Sequence, residues 1–310
     1  MTVDDVITRM GWTTGAGLAV EPLGGGITNL NYRVEVDGQA FVVRIPGRDS
    51  EHLGIDRRRE YACNAAAHQV GVAPDVVAFF DDAGVLVTRF VRGRGLVEEE
   101  MHHPHMLRRV AEALRRYHDG SDFPGTFSPF QTVRDYLATA APRSAALPER
   151  FDWMLAQADR LEAAMSMPAQ RRPCHNDLLL ANWLDDGERL WIIDWEYAAM
   201  GDPYFDLGNF AVHHRLSDAD EETLLGTYFG RATRDAIARL KLMKIISDLR
   251  EAMWAVVQTT ISTLDYDFLA YGRKHFDRHV AQLRDPRLPV WLADVARSKG
   301  HERWKLQTGQ

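Results

Sequence analysis

Asp177, Asn182 and Asp194 are the residues of this chain whose types and spacing suit chemistry. They fall in Cys174-His-Asn-Asp177, then at Asn182, then in Ile192-Ile-Asp194 after an interval long enough for a hairpin. An amide oxygen and a carboxylate brought to one point offer two hard ligands. Mg²⁺ dehydrates reluctantly and is usually held by such a pair together with waters and substrate oxygens. Asn182 and Asp194 are therefore the expected metal ligands. Asp177, in the loop feeding the same hairpin, is placed to orient or deprotonate a hydroxyl near the metal. A single Asp or Asn in a loop more often caps a turn or faces water, so the joint spacing carries this reading. His175 is read as holding the loop in shape. Asp206, in Gly201-Asp-Pro-Tyr-Phe-Asp206, either caps the next helix or hydrogen-bonds into the loop.

A second group of residues suits polyphosphate. Leu23-Gly-Gly-Gly-Ile-Thr-Asn29 lets the backbone approach an anion closely with its amides turned toward it, which nominates Gly24, Gly25, Gly26, Thr28 and Asn29. A tight turn explains three glycines about as well. Arg44 stands alone as a cation in Val42-Val-Arg-Ile45, and Glu60 on the following helix is its natural carboxylate partner. The plainer alternative makes Arg44 a solvent-facing strand residue and Glu60 one helix-surface charge among Arg57, Arg58 and Arg59.

The elements that must position these residues can be read from periodicity. Residues 30–36 and 39–45 alternate around Asp37-Gly38, a two-residue hairpin turn. A helix is expected over 56–70, with Asp56 as N-cap and Gly71 as stop, followed by strands at 75–80 and 85–90. Beyond Gly93 the pattern turns helical, near 104–119, 150–165, 218–229, 232–262 and 265–284. Residues 181–184 and 189–193 interrupt it as short strands around Asp185-Asp-Gly187. The predicted fold is α+β and bilobal: a small antiparallel-sheet lobe over 1–91 carrying the glycine run and Arg44, and a mainly helical lobe over 92–310 carrying Asp177, Asn182 and Asp194.

With these residues in place the chain resembles the choline/ethanolamine kinase family, within the aminoglycoside-phosphotransferase-like small-molecule kinases. The likeness rests on the glycine run, Val43-Arg-Ile-Pro-Gly47, Cys174-His-Asn-Asp177 with Asn182, and Ile193-Asp-Trp-Glu-Tyr197 running into Asp206-Leu-Gly208. The resemblance implies a protein-kinase-like fold, ATP and Mg²⁺, Asp177 as catalytic base, Asn182 and Asp194 on the metal, and Arg44 on the phosphates. It also implies a hinge beside adenine at Thr88–Val91, hence Thr88, Phe90 and Val91. Its acceptor pocket maps onto Glu196, Tyr197, His213, Glu251, Trp254 and Tyr271, where rings and an acid would meet a cationic alcohol. Two positions depart from the family: Glu251 stands where eukaryotic members have a second tryptophan, and His213 where they have an acid. The expected activity is ATP- and Mg²⁺-dependent phosphorylation of a small cationic alcohol such as choline or ethanolamine. An aminoglycoside, thiamine or sugar kinase of the same fold, and a catalytically dead nucleotide-binding regulator, are the alternatives.

Composition narrows the field further. The chain has 310 residues, 45% hydrophobic and 26% charged, enough to bury a large core. Its net charge of -7 argues against a dedicated nucleic-acid binder. No apolar run approaches the ~20 residues a membrane span needs. The opening Met1-Thr-Val-Asp-Asp5 carries acid where a secretory signal carries base, and Cys63 and Cys174 suit a reducing compartment. A cytoplasmic location is expected.

Overall fold

The structure is a computed structural model and describes residues 1–12, 17–24, 29–47, 50–165 and 171–297. A short helix, Val3–Arg9 (α1), precedes strands Leu18–Leu23 (β1), Asn29–Val36 (β2) and Gln39–Pro46 (β3). Helix Arg57–Gln69 (α2) and strands Val76–Phe80 (β4) and Val85–Arg89 (β5) follow. The strands form one antiparallel sheet in the order β1-β2-β3-β5-β4. Val36 pairs with Gln39, and Asp37 and Gly38 take φ of 50° and 76°, the pair of left-handed residues that a two-residue hairpin needs. Asp56 caps α2 by accepting from the Arg58 and Arg59 amides. The inward faces of the strands, with Val34, Val43, Val85 and Val87, make the core of this lobe.

The second lobe opens with Arg94–Gly95 (β6), Pro104–His118 (α3), Pro129–Ala140 (α4), Phe151–Met165 (α5) and Arg172–Cys174 (β7). Trp183–Asp185 (β8) and Leu190–Ile192 (β9) form the expected hairpin, followed by Ala199–Gly201 (β10), Pro203–His213 (α6), Asp218–Phe229 (α7), Arg234–Ile261 (α8) and Phe268–Leu283 (α9). The fold is thus bilobal α+β, an antiparallel sheet against a helical lobe. The hairpin strands are shorter than expected because Leu180–Asn182 forms a tight turn, its Asn182 amide donating to Leu179 O at 3.0 Å. Asp202, not Asp206, caps α6. The sequence reading had no place for α1, β1 or α4; Ser128-Pro-Phe-Gln131 was the available signal for α4, since Ser128 Oγ accepts from the Gln131 amide.

Helix α8 is buried along most of its length because α4, α6 and α9 pack around it. Asp248 locks it to α9, taking hydrogen bonds from His275 Nδ1 at 2.9 Å and Arg278 Nε at 2.7 Å. The lobes pack directly on each other. Cys63 and Ala67 of α2 share a core with Leu107, Trp183 and Trp195, and the Ile192 amide donates to Val72 O at 2.7 Å. Both cysteines are free and buried, and burial pushes the Cys63 thiol up to about 12. Among the described residues no helix is long and apolar enough to cross a membrane.

Candidate active site

The loop before β8 is built on one buried carboxylate. Asp206, in the first turn of α6, accepts from the His175 amide at 2.8 Å and the Asn176 amide at 2.7 Å. It also takes the Tyr117 hydroxyl at 2.6 Å and His118 Nε2 at 3.0 Å. Burial acts to raise this carboxyl, but the His118 and Tyr117 hydrogen bonds outweigh it and hold it low. Cys174 lies beside this pair, and the three side chains could in principle gather a metal. Asp206 already accepts four donors, so the cluster is satisfied without an ion. His175 has the structural place expected of it: Nδ1 accepts from the Asp177 amide at 3.2 Å, which leaves Nε2 to donate to Ile193 O at 3.0 Å. Asn176 and Asp194 both sit at left-handed φ, 67° and 68°, a conformation disfavoured outside glycine and held here by the surrounding hydrogen bonds.

The hairpin then brings the expected metal ligands together. The Ile193 amide donates to Asn182 O at 3.0 Å, which sets Asn182 and Asp194 at the same open end. The Asn182 amide nitrogen is committed to Asp177 O at 2.8 Å, leaving its oxygen as the end suited to a cation. Asp194 is half-buried at the interlobe cleft. The cleft has a volume of about 260 Å³ and is lined by Gly24, Arg44, Glu60, Thr88, Phe90, Val91 and Asp194, among others. The Phe90 amide bonds to Ala40 O at 3.0 Å, so the segment after β5 stays tied to the sheet edge while it borders the cleft. Gly93 then passes so close to β8 that a Cβ would lie 3.1 Å from Asp185 O. Gly25, Gly26 and Thr28 lie outside the described residues.

Arg44 and Glu60 pair at 2.7 Å, as their positions on β3 and α2 suggested. Two features were not anticipated. Arg44 also reaches Asp194 at 2.5 Å, so it touches one of the expected metal ligands directly. Arg57, read from sequence only as a helix-surface charge, is largely buried and bridges Glu60 at 2.7 Å and Glu196 at 3.0 Å. It also donates to Asn29 Oδ1 at 2.8 Å, while Asn29 Nδ2 donates to Glu196 Oε2 at 2.9 Å. Asn29 and Glu196 therefore join the lobes, and Glu196 stands with the phosphate-side residues instead of with the acceptor set. Three carboxyl groups face two guanidiniums in this network. Burial, with Asp194 and Glu60 nearby, pushes Glu196 upward. Burial opposes the charge on Arg44, but Asp194 and Glu60 raise it overall. Asn182 leaves an amide oxygen and Asp194 a carboxylate at this end of the hairpin, so the residues present fit a divalent cation.

The remaining expected residues gather around Asp177. Tyr271 donates to Glu251 Oε1 at 2.6 Å, and Trp254 Nε1 donates to Tyr197 Oη at 3.0 Å. Trp254 meets Tyr271 edge-on at 5.9 Å, but it is 4% exposed and shares a core cluster with Phe268, so packing accounts for much of its surface. His213 is half-buried, tilted against His275 at 5.7 Å, and burial of its ring drives it down to about 3. Tyr197 also lines a recess of about 400 Å³ with His52, Arg59, Asp135 and Tyr136. The residue that links this group was missed from sequence. Arg250 Nη1 lies 2.8 Å from Glu251 Oε2 and 3.3 Å from Asp177 Oδ1, and its guanidinium stacks on the Tyr197 ring at 4.4 Å. Its position one residue before Glu251 on an apolar helix was the only sequence signal. Burial raises Asp177 to about 7, against the pull of Arg250. Burial acts likewise on Glu251, but there Arg250 and the histidines win and the carboxyl stays low.

Comparison with known proteins fits this arrangement. The model of the phosphotransferase enzyme family matches residues 19–242. A solved choline/ethanolamine kinase family protein from Mesorhizobium loti is 32% identical, covers 96% of this chain and 99% of its own, and superimposes with a TM-score of 0.82. Protein LicA of Haemophilus influenzae is 29% identical over 249 residues, 76% of this chain and 72% of that protein. The probable ethanolamine kinase A of Dictyostelium discoideum is 28% identical over 302 residues, 84% of each. The fold is that of a phosphotransferase. The chain belongs to the choline/ethanolamine kinase-like family, whose fold is related to that of the aminoglycoside phosphotransferases.

Proposed function

We propose that the protein is an ATP- and Mg²⁺-dependent kinase that phosphorylates the hydroxyl of a small cationic alcohol, of the choline or ethanolamine type. The observation that carries this reading is that Asn182 bonds through its side chain to Asp177 O and through its carbonyl to the Ile193 amide, which joins both residues to Asp194, a lining residue of the cleft that also holds the Arg44–Glu60 pair. Bound ATP and Mg²⁺ would supply the phosphoryl group and neutralise its charge, with Asn182 and Asp194 as metal ligands and Arg44 toward the phosphates. Gly24 and the Thr88, Phe90 and Val91 segment border the same cleft and would flank the nucleotide. This division assigns the sheet lobe to nucleotide phosphates and the helical lobe, from about Arg92 onward, to the metal and acceptor. Asp177, held by its loop hydrogen bonds, accepts the acceptor's hydroxyl proton. A cationic acceptor is supported by the charge around Asp177: it and Glu251 outnumber Arg250 by one, and the Tyr197, Trp254 and Tyr271 rings stand beside them. The test is ATP turnover with a panel of alcohols, with and without Mg²⁺. Phosphorylated alcohol should form only with the metal, and Asp194→Ala should abolish turnover while the circular dichroism spectrum is unchanged. Turnover by that variant at the wild-type rate would refute the assignment.

A further inference from the structure

Arg250 places a cation where a cationic acceptor would be expected to be received. Its side chain is 1% exposed, and its Nη1 is shared between Glu251 and Asp177. The Nε and Nη2 donors are buried and have no partner among the described residues. A buried guanidinium with unmade donors is destabilising, because hydrogen bonds to charged groups are among the stronger ones to forgo. Nε2 of His213, whose ring feels the Glu251 charge, is likewise buried and without a partner among the described residues. The corner around the base therefore has two demands. Two carboxylates against one guanidinium leave a negative charge that one cationic group would offset. The unmade Arg250 donors call for an oxygen.

A trialkylammonium alcohol meets the first demand through ring faces only and the second not at all, since its methyl groups neither donate nor accept. Its bulky cationic head would also press against the Arg250 guanidinium, which already covers the Tyr197 ring that such a head would stack on. A primary ammonium can donate to Glu251 and Tyr271 Oη, and an oxygen on a neighbouring carbon can accept from Arg250. We propose that Arg250 sets the acceptor class: the alcohol carries a primary ammonium and a second oxygen function, as an amino diol or a hydroxy amino acid does, and is not a trialkylammonium alcohol. The inference rests on the kinase reading above and leaves its chemistry unchanged. The hydroxyl oxygen bonds to the γ-phosphorus, the bond to ADP breaks, and the proton passes to Asp177.

The experiment measures kcat and KM of the intact protein, with ATP and Mg²⁺, for choline, ethanolamine, serinol and serine. Serinol or serine should exceed ethanolamine in kcat/KM by roughly 10- to 100-fold, the range for a hydrogen bond to a charged partner, and choline should rank last. Arg250→Met fills similar space without donors and should bring the better of the two down to the level of ethanolamine, through acceptor KM with KM for ATP unchanged. If that variant fails to fold, Arg250→Lys keeps the charge without the planar fork and should show the same narrowing. Choline turned over as well as serinol and serine, or a preference that survives both substitutions, would overturn the assignment of Arg250 and leave the kinase reading standing. Phosphorylation of no alcohol in the panel would overturn the kinase reading and this inference with it.

Discussion

On the proposed reading, Asp177 is the residue that takes the acceptor's proton. It is 9% exposed, and burial lifts its carboxyl to about 7 although Arg250 pulls the other way. A proton acceptor must be ionised, so kcat/KM should rise with pH along an acid limb near 7, well above the ~4 of an ordinary aspartate. In Arg250→Met the opposing cation is gone, and the limb should move to still higher pH. A pH–rate profile checks both; an acid limb at the ordinary aspartate value would contradict the first. Asp177→Asn keeps the shape of the side chain and removes the base, so kcat should fall on the order of 10²–10⁴-fold with little change in nucleotide affinity, measured by steady-state kinetics and nucleotide titration.

Among the elements, the α6–α8 contact fixes how the loop carrying Asp177 meets the helix carrying Arg250, Glu251 and Trp254. Asn209 of α6 accepts from the Leu178 amide at 2.6 Å and donates to Ser247 Oγ on α8 at 3.0 Å, so one side chain ties loop and helix together. At the preceding residue, a Cβ on Gly208 would lie 2.7 Å from Met243 Cβ and 3.0 Å from the Lys244 nitrogen. Gly208→Ala should therefore cost about 1–3 kcal/mol by overpacking, despite alanine's better helix propensity. Gly226 in α7 has nothing within 4 Å of an added Cβ, so Gly226→Ala should be neutral or stabilising by up to ~1 kcal/mol. Urea unfolding of the pair separates close packing from propensity. Equal effects of the two substitutions would show that the Gly208 contact yields.

For the whole molecule, the ion network between the lobes decides how firmly the cleft is held. Arg57 sits between Glu60 and Glu196, both nearly inaccessible, and links them to Asn29. Arg57→Met leaves two buried carboxylates short of a partner and should cost about 3–5 kcal/mol, since breaking a buried pair leaves an uncompensated charge. The neighbouring Arg58 is 77% exposed and pairs with Asp81 on the surface, so Arg58→Met should cost far less than Arg57→Met. The contrast is measurable by denaturant titration. Equal costs would mean that the Arg57 network is solvated and does not hold the lobes.

The elements with one clear period and a local stop signal were legible in the sequence: the β2–β3 hairpin through Asp37-Gly38, α2 through its Asp56 cap, and α7 at its observed bounds. Such signals act between residues a few positions apart, and the backbone chooses its conformation there. The spacing of Asp177, Asn182 and Asp194 was legible for the same reason, because a short hairpin turns a sequence interval into a distance. Short elements without a strong period, α1 and β1, were not. Tertiary structure alone decided which charges are buried. Nothing in Asp56-Arg-Arg-Arg-Glu60 distinguishes Arg57, which reaches Glu196, from Arg58, which faces water; the choice follows from which side of α2 meets the other lobe. Arg250 is the same case on a helix buried nearly all round, where one long side chain stretches to the catalytic loop 73 positions away in sequence. A carboxylate's partner is fixed by the packing of distant segments and by the cost of leaving it unpaired away from water, and that cost exists only once the fold has excluded the water.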